Sequence, residues 1–188
     1  MSGIGHNRGP ELDAATSWRQ HCWRKARRDL IPRLPIEILR TRVKRADELG
    51  LEYKTYASVR ASTGRDVIGF LFSSNALRSF LNSPTIPEPR QKKLINLKNC
   101  RTIALISAPL VPSAVLQANP NIADAVIAPG ILSGWGETAR LMDAAREPHK
   151  LPADAVLLIG DTALEQEWAA AGRIAGYVGA EHYFDSSH

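Results

Sequence analysis

Ala155-Val156-Leu157-Leu158-Ile159-Gly160-Asp161-Thr162 is the stretch that decides the fold. Residues 155–160 form an apolar run of strand length, and 162–171 read as the helix that follows. The same alternation runs back through the C-terminal half: strand 102–108, helix 111–118, strand 123–128, helix 136–146. Strands separated by helices imply βαβ units and a parallel sheet buried on both faces. Upstream, Asp66-Val67-Ile68-Gly69-Phe70-Leu71-Phe72 is another apolar run suited to a buried strand, and it is expected to join that sheet. The expected fold is therefore α/β: a small, Rossmann-like three-layer parallel sheet with an N-terminal basic helical extension. The expected organisation is a flexible arm at 1–10, a basic helical region at 11–64 and the α/β domain at 65–188. Pro84, Pro87 and Pro89 mark 83–89 as a linker within that domain.

A chain of 188 residues with 44% hydrophobic side chains can build a full core. No apolar run approaches the ~18 residues that span a bilayer. Residues 1–10 lack the apolar core of a secretory signal. Cys22 and Cys100 are too few for a disulfide scaffold and read as reduced thiols. These features together predict a cytoplasmic protein with no membrane contact. Charge is divided unevenly. Residues 1–101 carry 20 of the 24 Lys and Arg and 9 of the 19 acids, an excess of 11 positive charges. Residues 102–188 carry 4 bases and 10 acids, an excess of six negative charges. Asymmetry of this size points to a nucleic acid, an acidic protein partner or an anionic surface met by the N-terminal half.

That half reads as helices. Leu12, Ala15, Trp18, Cys22, Ala26 and Leu30 recur at helical spacing, with Arg24, Lys25, Arg27 and Arg28 in the last turns. A second helix, 35–49, buries Ile36, Leu39, Val43, Ala46 and Leu49, turns Arg40, Arg42, Lys44 and Arg45 outward, and stops at Gly50. A third, 53–62, stops at Gly64. The small Ala46, the turn residue Gly50, and the apolar Leu51, Tyr56 and Val59 make 42–59 resemble the helix-turn-helix of DNA-binding proteins. The resemblance covers about 18 residues, and Arg45 stands where that motif has an apolar side chain. It implies that the third helix presents Lys54 and Arg60 to the major groove or the phosphates. The short peptide Ile4-Gly5-His6-Asn7-Arg8-Gly9-Pro10 resembles an N-terminal segment of assorted bacterial and phage proteins, which implies no activity.

The leading expectation is a nucleic-acid-binding protein without catalysis. Arg24, Lys25, Arg27, Arg28, Arg40 and Lys44 would neutralise phosphates, Lys54 and Arg60 would lie on the recognition helix, and Trp23 would be placed to stack bases. One alternative is a subunit docking on an acidic protein partner. Another is a small α/β enzyme or ligand-binding domain with its site at the strand C-termini. The residues for that site are Ser107, the loop residues Gly130, Ser133, Gly134 and Gly136, and Asp161. The glycines would free backbone amides for an anion, although the spacing is neither the Walker A motif nor the dinucleotide fingerprint. Ser133 is the expected helix cap there, and Asp161 the expected cap of 162–171, with Glu165 in the first turn. Ile159-Gly160-Asp161-Thr162 also resembles the last motif of the haloacid-dehalogenase hydrolases. That family requires an Asp-x-Asp nucleophile after its first strand, and Ile103-Ala104-Leu105-Ile106-Ser107-Ala108-Pro109 contains no Asp. No metal-ligand pair, cofactor fingerprint or Gly-x-Ser-x-Gly elbow occurs, so no catalytic residue, metal or cofactor is expected.

Overall fold

The computed structural model describes residues 34–185. Arg40–His188 forms one unit, and residues 34–39 belong to the unit before it. The expectations for residues 1–33, including Trp18, Trp23, Arg24, Lys25, Arg27 and Arg28, lie outside the described residues.

Two helices come first, α1 (Ile36–Glu48) and α2 (Tyr53–Thr63). The turn between them needs Gly50, whose φ of +61° is the left-handed region that side chains resist. Strand β1 (Gly69–Ser73) follows, then a one-turn helix α3 (Ser74–Leu77) and α4 (Glu88–Ile95). From there strands and helices alternate: β2 (Arg101–Ile106), α5 (Pro112–Ala118), β3 (Asp124–Ile127), α6 (Trp135–Arg146), β4 (Val156–Gly160), α7 (Ala163–Ala171), β5 (Gly176–Gly179) and α8 (Ala180–Asp185).

The five strands form one parallel sheet in the order β3-β2-β1-β4-β5. Gly69 pairs with Arg101 on one side and Val156 on the other, so the first strand of the sheet is also its centre. The chain works outward to one edge and then returns to the middle, which creates a switch point between β1 and β4.

Period-two alternation assigns the side chains to two cores. Phe70, Phe72, Ala104, Ile106, Leu157 and Ile159 pack on one face with Ala46, Tyr56, Leu94 and Tyr183. Leu71, Ile103, Leu105, Val156 and Leu158 pack on the other with Met142 of α6 and Trp168 of α7. Helices thus cover both faces, and the three-layer α/β fold read from the sequence is the fold of the protein. No helix among the described residues is long and apolar enough to cross a membrane.

One segment differs from expectation. The proline-rich 83–89 is no free linker. Buried Asn119 accepts the amide of Ile86 at 2.8 Å and donates to the carbonyls of Pro84 at 2.9 Å and Val115 at 2.8 Å. Pro87 and Glu88-Pro89 then open α4, because proline is tolerated in a first turn, where the amide has no intrahelical partner. Two cations of α4 turn inward. Arg90 donates to the Ala76 carbonyl and lies 4.5 Å over the Phe184 ring; Lys93 donates to the Tyr183 carbonyl and lies over the Tyr183 ring. Burial lowers the pKa of both cations.

Cys100 sits in the turn before β2, packed against the first core. Burial pushes its thiol up to about 11, against a smaller opposing pull from Arg45. Only the thiolate attacks an alkylating agent, so its ionised fraction at pH 8 is about one in a thousand. In a Cys22→Ser background, iodoacetamide is expected to leave Cys100 intact at pH 8 and to label it increasingly as pH rises toward 11. Rapid labelling of the folded protein at pH 8 would contradict this.

Candidate functional site

The helix pair has the expected helix-turn-helix connectivity. Ala46, Leu49, Leu51 and Tyr56 are buried, and Val59 packs partly against the same core. The departure at Arg45 has a structural answer. Its guanidinium donates to Asp66 at 2.9 Å, to Glu48 at 3.1 Å, and to the carbonyls of Val67, Lys98 and Asn99 at 3.0 Å each. Burial lowers its pKa, while Asp66 and Glu48 pull the other way and leave it raised overall. An apolar position of the motif is thus filled by an ionic knot tying α1 to the strand entry and to the turn before β2.

The outward cations divide into two groups. Arg40, Lys44 and Lys54 are exposed and form no ion pair among the described residues. Arg60 is half-buried and lies 3.9 Å from Asp66 and 3.5 Å from the Tyr56 hydroxyl. Tyr56 donates to the same carboxylate at 2.9 Å, and burial followed by Asp66 raises its pKa. On α2, Lys54, Ser58, Ala61 and Ser62 form the exposed stripe, a mostly neutral surface.

At the other end of the sheet, the strand C-termini open into a cleft of about 950 Å³. Asn75 after β1 and Thr162 after β4 place it at the switch point, where doubly wound sheets receive ligands. The structure brings Ser107, Gly130 and Ser133 together on its wall. Gly134 is the N-cap of α6, without a side-chain cap bond, and Gly136 lies inside that helix. Ser133 is not the cap, because its hydroxyl oxygen accepts the Gly130 amide at 3.1 Å. The Ser133 amide donates to the Gly130 carbonyl. Two amides that would face an anion are therefore bound within the loop.

Asp161 is not the cap of α7 either. Thr162 takes that place in a reciprocal capping box with Glu165. Glu165, almost wholly buried, accepts the amides of Asp161 and Thr162 and, at 2.8 Å, the side-chain amide of Asn75. Asp161 pairs instead with Arg78 at 3.6 Å.

The hydrolase resemblance meets its decisive residue here. The first strand of the sheet is β1, as the run 66–72 leads one to expect, and its end carries Phe72-Ser73-Ser74-Asn75 with no Asp. The Ser73 hydroxyl oxygen accepts the Ala76 amide and that of Ser74 the Ser107 amide. That family's carboxylate nucleophile has no counterpart at this place. Among the described residues, no group of His, Cys, Asp or Glu is arranged to hold a metal.

Sequence reasoning placed Ser107 and the glycine loop at the strand ends because strand-to-helix turns must lie there. It missed the apolar wall formed by Leu141, Leu164 and Trp168, which come from α6 and α7 and meet only in the folded state. It also missed Asn75, for which the strand preceding it was the available signal.

No protein-family model matches the chain. No curated protein matches it. A solved structure of an uncharacterized protein from Corynebacterium glutamicum is similar over 59% of this chain and 81% of its own, at 19% identity and a TM-score of 0.41, a likeness too slight to carry an argument.

Proposed function

We propose that the protein binds nucleic acid through its basic N-terminal helices, without catalysis, and that the α/β unit serves as their scaffold. The observation that carries this reading is the set of exposed cations on the helix pair that form no ion pair among the described residues. Arg40 and Lys44 stand one turn apart on α1, and Lys54 opens the exposed stripe of α2. Arg45 and Arg60 are taken up by Asp66 and hold the pair in place rather than contacting a ligand. The wider charge division supports the reading, since the N-terminal half carries the positive excess. Contacts of this kind go to phosphates, so affinity rather than base choice is what they supply.

The test is binding of a short fluorescent duplex and of a single strand across a salt series. Each neutralised duplex phosphate contributes a slope of about −0.9 in log K against log salt. Reversing Arg40 and Lys44 together to Glu is expected to flatten that slope by about two and to leave the circular dichroism unchanged. Failure to bind either nucleic acid at low salt would refute the proposal. Binding to an acidic protein with no nucleic-acid affinity would move the same surface to the other partner class.

A further inference from the structure

From the strand-end cleft we infer a second site, independent of the basic helices, that binds an uncharged, apolar small molecule. Three observations converge on that class. The first is size and position. At about 950 Å³ the cleft falls within the range of small-molecule sites, and it lies where this sheet order places ligands.

The second is its wall. Leu141, Leu164 and Trp168 line one side, while Ile131 and Leu132 stand at the rim with 84% and 98% of their surface in water. Two large apolar side chains held open to solvent beside an apolar wall gain free energy when a ligand covers them.

The third is polarity. Among the described residues no Lys, Arg or His lines the cleft, and its ionisable side chains are the carboxylates Glu137 and Glu165. The amides of Gly130 and Ser133 are bonded within the loop, and those of Asp161 and Thr162 are bonded to Glu165. These loop and turn amides are thus occupied, and the two carboxylates with no lining cation to offset them disfavour an anion.

The experiment titrates the full chain with Nile red, a neutral apolar dye, and in parallel with the anionic dye anilinonaphthalene sulfonate. Saturable, blue-shifted Nile red emission with one dye per chain is expected, insensitive to salt, with the sulfonate weaker by about tenfold or more. Leu164→Glu is expected to weaken Nile red by about tenfold or more. Leu132→Ser removes a fully exposed side chain that cannot support the fold, and it is expected to weaken the dye severalfold with unchanged thermal unfolding. Absence of saturable Nile red binding to the wild type would overturn the inference. So would sulfonate binding as tight as Nile red, or Nile red binding unaltered in Leu132→Ser. The salt series separates this site from the nucleic-acid surface, because only the latter responds.

Discussion

Arg45→Ala is expected to lower the unfolding free energy by about 2 to 4 kcal/mol. The side chain satisfies two carboxylates and three backbone carbonyls at once. Alanine leaves those acceptors behind in a partly buried place, and a stranded acceptor loses its hydration without regaining a partner. Asp66 is a third exposed, so water recovers part of the loss, which keeps the figure below that of a fully buried pair. Arg45→Lys retains the charge but has one point donor in place of a planar fork, and it is expected to recover only part of the difference. Urea denaturation with an unchanged m-value is the measurement. A loss below about 0.5 kcal/mol, the range of ordinary surface changes, would show that the knot is decorative.

Glu165→Ala is expected to have an effect of similar size, about 2 to 4 kcal/mol, at the opposite end of the sheet. Glu165 is 1% exposed and receives three N–H groups: two from the turn after β4 and one from Asn75 after β1. Its loss removes half of the α7 capping box and the side-chain tie between the two central strands. Asn75→Ala breaks only one of these bonds and is expected to cost about 1 kcal/mol. Hydrogen exchange adds a local readout, because the Asp161 and Thr162 amides should lose protection in Glu165→Ala beyond the global change. Unchanged protection at both amides would refute the assigned role. Glu165→Gln tests whether charge or shape matters, since its amide end must face donors on one side.

Much of this architecture is legible along the chain, for reasons that can be stated residue by residue. The run 66–72 reads as a strand because its apolar residues are too short for a helix and bounded by polar ones. Its central position does not read, because pairing with both β2 and β4 is decided across 32 and 87 residues. Gly176–Gly179 escapes a sequence reading: it is four residues long, half-buried, and flanked by glycine at both ends. Helix α4 hides behind Pro84, Pro87 and Pro89, which punctuate a loop as readily as they open a helix. Of the candidate sites, Arg40, Lys44 and Lys54 remain at the surface as amphipathic spacing requires. Arg45 and Arg60 turn inward because Asp66, beyond α2 in the chain, folds back between them.

The central place of β1 also governs how the protein is made. Gly69 meets Arg101 after 32 residues, but its other neighbour begins at Val156, some 87 positions downstream. At about 5 to 20 residues per second, the ribosome needs roughly 4 to 17 s to deliver that strand. For this interval Gly69–Ser73, apolar up to its last residue and wholly buried in the finished fold, stands with at least one open edge and an incomplete cover. An unpaired edge of that composition recruits other chains unless something shields it. The nascent protein is thus most exposed to aggregation while its scaffold is half synthesised, and it is then that a cell's chaperones have most to do.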